Sequence, residues 1–304
     1  MFDQALRNQL KGVHAYALTI YQRDDCCALD LDGFAANLVW AAERGVAIFV
    51  VAGGTGENDA LTPAERVVMA ERAMAAVGER ALVIPTLPGN LGEAADLAPR
   101  YESLGARVAL AMPPLIRHQA PDDPAAVCNY YRALGSRSGG LALMPYNTQG
   151  WSADLFERLA EVEQIIAIKD PCFDDHPLFR AIQRLGDRFV WIGNKRHDPG
   201  VLHFRFQAGI EAFTAGFVNF APELELELFA AAQEQDWPRM VELQAQLAHL
   251  ERLRARYDDA GMLKATMELI GLAGGPVRPP RVDLTAVERA EIETELQRLG
   301  ILGA

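Results

Sequence analysis

Lys169 closes the run Gln164-Ile165-Ile166-Ala167-Ile168-Lys169-Asp170, which reads as a short apolar strand delivering one amine at its carboxyl end. Leaving an isoleucine-rich strand partly desolvates that amine. Desolvation disfavours ammonium and leaves more of the neutral nucleophile that carbonyl chemistry requires. A Schiff base on Lys169 is therefore the leading chemical reading. A purely structural reading stands beside it, because lysines often end strands with the stem on apolar surface and the ammonium in water.

Other groups share this placement. Tyr146 and Asn147 follow Leu-Ala-Leu-Met-Pro, and the phenol is suited to shuttling protons during imine formation. Gly53-Gly54-Thr55-Gly56 can present backbone N–H groups beside the Thr55 hydroxyl, a small nest for a carboxylate. It is equally a tight strand-to-helix turn, and Glu57 equally the acidic first turn of a helix. Lys195 and Arg196, with His197, follow another apolar run and either bind a second anionic group or form a solvated basic loop. Thr214 ends the last such run, and it and Asn147 are expected to contact the substrate.

These groups need a scaffold that gathers strand ends. Strand patterns fall at 13–20, 46–54, 81–87, 107–112, 140–146, 165–169, 189–193 and 211–217, with helical periodicity between most neighbours. Such alternation predicts parallel strands joined by right-handed crossovers. Eight units close into an α/β fold, the (β/α)₈ TIM barrel, whose active sites lie at the strands' carboxyl ends. An open doubly wound sheet is the alternative, but the glycine loop is not a GxGxxG turn. Thr62-Pro63-Ala64-Glu65 predicts a capping box with proline at the first helical position, and Asp30 or Asp32 caps an earlier helix that Gly45 stops. After the last strand the pattern becomes helical, over 222–235, 237–257, 262–272 and 285–299. The expected division is a catalytic barrel over 1–221 and a small C-terminal helical domain over 222–304.

Half of the 304 residues are hydrophobic, so a substantial core is available. The formal charge of -12 argues against nucleic acid or an anionic membrane as the main partner. Four cysteines without CxxC spacing suit reduced thiols, and no run is long enough to span a bilayer, so a soluble cytoplasmic protein is expected. The histidines show neither HxH nor HExxH spacing, giving no support for a metal site. There is no GxSxG elbow and no Walker loop.

In order along the chain, Leu18-Thr19, GGTGENDALTPAE (53–65), MPYN (144–147), IIAIKD (165–170), FTAGFVNFAPE (213–223) and GLAGGPVRPP (271–280) resemble the dihydrodipicolinate synthase and N-acetylneuraminate lyase superfamily of Schiff-base lyases. Within it, VAGGTGE, LGDRFVWIGN (185–194), VNFAPE and GGPVRPP followed by Asp283-Leu284-Thr285 look most like the 5-dehydro-4-deoxyglucarate dehydratases. The resemblance implies a barrel with a helical C-terminal domain, assembled as a homotetramer of paired dimers. It also implies that Lys169 forms the imine, Tyr146 handles protons and Gly54-Thr55 hold the α-carboxylate of a small keto acid, with no cofactor.

The departures matter. Two adjacent threonines of the synthases are Gly54-Thr55 here, and their paired tyrosines correspond to Pro114-Leu115. The arginine expected after the Tyr-Asn pair is absent, with Trp151 near its place. The dehydratases' Tyr-Asn-Arg and Lys-Asp-Gly become Tyr146-Asn147-Thr148 and Lys169-Asp170-Pro171. The lost arginine weakens a dicarboxylate substrate, and Lys195 or Arg196 is the expected replacement cation. Dehydration and decarboxylation of 5-dehydro-4-deoxyglucarate to 2,5-dioxopentanoate is the leading expectation. An aldolase, or a dehydratase for another 2-keto-3-deoxy acid such as 2-keto-3-deoxyarabonate, uses the same residues. A barrel that binds ligand without catalysis is the reading from another class.

Overall fold

The computed structural model describes residues 4–172, 174–195 and 200–303. Among these residues ten strands occur in chain order: β1 Val13–Tyr16, β2 Tyr21–Gln22, β3 Asp25–Leu29, β4 Ile48–Val51, β5 Leu82–Leu87, β6 Val108–Ala111, β7 Ala142–Pro145, β8 Ala167–Lys169, β9 Val190–Asn194 and β10 Ala212–Ala215. Eight of them pair in parallel in the order β7-β6-β5-β4-β1-β10-β9-β8. The ring closes where β7 meets β8. There Leu143 N–H donates to the Gln164 carbonyl at 2.7 Å, and Asn147 N–H donates to the Lys169 carbonyl at 2.8 Å.

The (β/α)₈ barrel expected from the alternation is thus present, with helices after the strands and further helices at the C-terminus. The strands are shorter than their apolar runs. In the first, the expected 13–20 ends at Tyr16, and the chain then turns into the antiparallel pair β2–β3, in place of four further residues of strand. That hairpin turns through Arg23-Asp24 and lacks an Asn-Gly or Asp-Gly signal. The capping box at Thr62 forms as expected, with Pro63 opening the helix, and Asp30 caps the helix Leu31–Ala42 through Gly33 N–H.

Alternation along each strand sorts its side chains between two layers. Ile48, Val50, Val108, Leu110, Ala142 and Met144 pack inside the barrel, while Phe49, Val51, Ala109 and Leu143 face the helices. The amino-terminal end of the barrel is stoppered by the helix Gln4–Gln9 and the turn after it, through buried Leu6 and Leu10. Arg7 fastens this stopper by donating to the Arg188 carbonyl at 2.6 Å and the Asp187 carbonyl at 3.2 Å, just before β9.

After β10, the helix Pro222–Gln233 packs against β1 and against the long helix Trp237–Arg256. Helices Asp259–Leu269 and Ala286–Arg298 complete the chain. The third helix begins earlier than its periodicity suggests, because the Asp258 side chain accepts from Gly261 N–H and caps it. Among the described residues, no helix is long and apolar enough to cross a membrane.

Leu10→Ala should cost about 2–5 kcal/mol in chemical denaturation, the usual range for emptying a buried leucine site. A loss below about 1 kcal/mol would show that the stopper contributes little to the barrel.

Candidate active site

The period of two that fills the barrel interior also aims the residues at its carboxyl end. Inward Met144 is followed two positions later by Tyr146, Ala167 by Lys169, Ile192 by Asn194, Ala212 by Thr214 and His14 by Tyr16. All five of these later residues line one cavity of about 400 Å³, together with Gly54, Thr55 and Lys195. A larger cavity of about 740 Å³, at the opposite end of the barrel, contains none of them.

Lys169 is only 5% exposed. Its Nζ stands 3.8 Å from the ring centre of Tyr146 and 3.8 Å from that of Tyr16. Its backbone is fixed from behind. Asp170 accepts from Asn147 Nδ2 at 2.7 Å and from Cys172 N–H at 2.8 Å, and Cys172 Sγ donates to the Asn147 carbonyl. Burial pushes the Asp170 carboxyl up from its usual range, against the hydrogen bonds from Asn147 and Cys172. Burial, reinforced by the Asp170 charge, pushes the Cys172 thiol to about 12, so it remains protonated at neutral pH.

The expected substrate contact of Asn147 is not what the structure shows. Its amide is committed to Asp170, and its oxygen accepts from the N–H groups of Gln149 and Trp151, each at 3.1 Å. Asn147 is therefore a bolt behind Lys169 and does not line the cavity. Trp151 is buried and forms part of the same turn.

The glycine loop follows β4 and faces Lys169 across the cavity. Glu57 N–H donates to the Gly54 carbonyl at 3.1 Å, Asn58 N–H to that of Gly53 at 3.1 Å, and the Thr19 hydroxyl to that of Gly56 at 2.6 Å. Gly54 has open space where a Cβ would stand. Ala52 and Glu57 both adopt φ 57°, a left-handed conformation that costs non-glycine residues roughly 1–3 kcal/mol. Glu57 is not the solvated helix-start acid considered from sequence. It is fully buried, accepts from Lys264 Nζ at 2.6 Å and from Arg278 N–H at 2.9 Å, and so ties the loop to the helix Asp259–Leu269. Burial pushes the Lys264 ammonium down against the pull of Glu57.

Thr214 donates its hydroxyl to Asn194 Oδ1 at 2.9 Å, placing both at the cavity wall. Lys195 also reaches the wall, but it is buried and ion-paired with Glu225 and, at 3.0 Å, with Glu251. Burial pushes its pKa down, and the two glutamates outweigh that and hold it above the usual lysine value. Arg196 and His197 lie outside the described residues. Arg254 and Tyr257, near the end of the long C-terminal helix, add polar groups to the mouth that strand-end reasoning missed. Arg254 pairs with Asp259, and its guanidinium packs against Gly216, where a Cβ would stand 2.6 Å from Nη1. Among the described residues, no cluster of three or more His, Cys, Asp or Glu is placed to hold a metal ion.

Lys169 thus ends the sixth barrel strand, with Tyr146 and the glycine-rich loop beside the same cavity. The model of the dihydrodipicolinate synthetase family matches residues 9–299. The chain belongs to this family. A probable 5-dehydro-4-deoxyglucarate dehydratase from Ralstonia nicotianae is 30% identical over 298 residues, covering 95% of this chain and 93% of that protein. Among solved structures, dihydrodipicolinate synthase from Oceanobacillus iheyensis superimposes with a TM-score of 0.89 at 22% identity, covering 98% of this chain and 99% of that one. N-acetylneuraminate lyase from Fusobacterium nucleatum gives 0.84 at 20% identity, covering 95% and 98%. The protein is thus an enzyme of the dihydrodipicolinate synthetase family.

For this family member, Lys264→Met should strand Glu57 as an uncompensated buried charge. A loss of about 3–5 kcal/mol is expected in urea denaturation. A loss under about 1 kcal/mol would mean that the loop does not depend on this ion pair.

Proposed function

We propose that the protein is a Schiff-base lyase that dehydrates a 2-keto-3-deoxy sugar acid, with 5-dehydro-4-deoxyglucarate as the first substrate to test. The observation that carries this reading is Lys169 Nζ, buried at the end of β8 and 3.8 Å from the Tyr146 ring, in a cavity bordered by Gly54 and Thr55. The dehydratase name of the Ralstonia relative supports the choice of substrate.

On this reading, Gly54 and Thr55 hold the α-carboxylate and Lys169 attacks the adjacent ketone. Amine, ketone and one proton give a protonated imine and one water. The imine makes the neighbouring carbon acidic, Tyr146 or a water takes that proton, and the resulting enamine expels the β-hydroxyl, which leaves as water on receiving a proton. Loss of the remote carboxylate as CO₂ sends its electron pair into the conjugated imine; protonation at carbon and tautomerisation of the enol make the aldehyde, and water hydrolyses the imine to release Lys169 and 2,5-dioxopentanoate. Lysine itself is the electron sink, so the scheme requires no organic cofactor or metal.

A shorter keto acid, or aldol cleavage of the same imine, is the second reading, and the far wall of the cavity favours it. Lys195 already faces Glu225 and Glu251, and Arg254 faces Asp259. Those carboxylates compete with a remote carboxylate of the substrate for the same cations. Semialdehyde plus CO₂ marks the first reading, whereas pyruvate plus an aldehyde marks cleavage.

Borohydride reduction in the presence of pyruvate should add one reduced-imine adduct to the intact mass of the wild type and none to Lys169→Ala. Absence of the adduct from folded wild-type protein, with 5-dehydro-4-deoxyglucarate also tried, would remove the imine reading. Tyr146→Phe should retain some trapping while lowering dehydration roughly 10²–10⁴-fold, the span of a positioned proton-transfer group.

A further inference from the structure

Tyr16 shares Lys169 with Tyr146. It ends β1 two residues after inward-facing His14, and its ring lies against the glycine loop so closely that a Cβ on Gly53 would be 2.8 Å from Tyr16 Cε1. Glycine at 53 is therefore what admits this ring. The ring is 2% exposed, and the Lys169 Nζ sits 3.8 Å from its centre, as close as it sits to Tyr146. The Tyr16 hydroxyl has no hydrogen-bond partner among the described residues, so the ring face is the part of this side chain that meets the lysine.

We infer that Tyr16 is a catalytic residue whose ring face stabilises the positive charge on Lys169 Nζ in the protonated imine. The inference rests on the imine reading above. Forming the iminium creates a fixed cation at Nζ, and an aromatic face is attracted to such a charge through its quadrupole. The attraction is larger in a desolvated site than at the surface, and Nζ here is enclosed by two rings. The surroundings suit this role. Burial, opposed in part by the bond to the Leu10 carbonyl, lowers the His14 pKa to about 4. That imidazole is neutral at working pH and places no second cation beneath the iminium. Burial likewise holds the Tyr16 phenol well above its usual value, helped by Tyr146, so the ring stays neutral and does not become a phenolate ion pair.

The test compares Tyr16→Phe, Tyr16→Leu and 3,4,5-trifluorophenylalanine at position 16, all in the full chain with folding verified. The readouts are the rate of borohydride trapping with pyruvate and kcat for dehydration. Phe keeps the quadrupole and should stay within about threefold of wild type. The fluorinated ring keeps the shape but loses the quadrupole, and should lose about tenfold in both readouts, as should Leu. Equal rates for the fluorinated and plain phenylalanine proteins would overturn the inference, because a space-filling ring would explain both. A Phe variant as impaired as Leu would overturn it in favour of the hydroxyl. No adduct in wild type would remove the imine reading and this inference with it, whereas normal trapping in every variant would remove this inference alone.

Discussion

One backbone hydrogen bond joins the fold to the chemistry. Asn147 N–H to the Lys169 carbonyl, at 2.8 Å, is among the bonds that close β7 onto β8 and complete the barrel. It also makes Tyr146 and Lys169 neighbours across that closure, in bridge register with one another. The proposed catalytic pair is therefore as rigid as the ring itself. The Asn147 side chain repeats the link one residue on by donating to Asp170. Backbone and side chain of a single residue thus hold the lysine strand at its end.

The C-terminal helices are part of the same machinery. Lys264 and Arg278 reach the barrel through Glu57, and Arg278 also bonds Glu65 at 2.8 Å near the start of the next barrel helix. Burying these charges is expensive, and they persist because each has a partner. What this achieves is a left-handed turn at Glu57 held by ligands from a distant segment. The long helix Trp237–Arg256 contributes Glu251 and Arg254 to the mouth, so the far end of the cavity is shaped by residues outside the strands.

How much of this the sequence reveals follows from where each signal is stored. Strand periodicity is local, and so the eight strands, the barrel and the placing of Lys169, Tyr146, Gly54, Thr55 and Thr214 around one cavity are legible. Partnership is not local. Asn147 and Lys195 sit at strand ends as expected, yet Asp170 claims the first and two glutamates claim the second. Tyr16 escapes the reading because the apolar run continues to 20 while the strand stops at Tyr16, which moves the strand's end four residues. Glu57 resembles a helix-start acid until Lys264, more than two hundred positions later, is folded beside it. Arg254 and Tyr257 have no sequence signal, since nothing in a helix's periodicity tells which turn will overhang a distant cavity.

The stopper formed by Leu6, Leu10 and Arg7 has a practical side. It occupies the barrel end opposite Lys169, with its hydrogen bonds directed at the segment that precedes β9. A support or fusion partner joined ahead of this helix attaches on the face away from the cavity mouth. Immobilising the enzyme by that end leaves the route to Lys169 open, whereas a bulky attachment on the turn 257–259 would stand at the entrance.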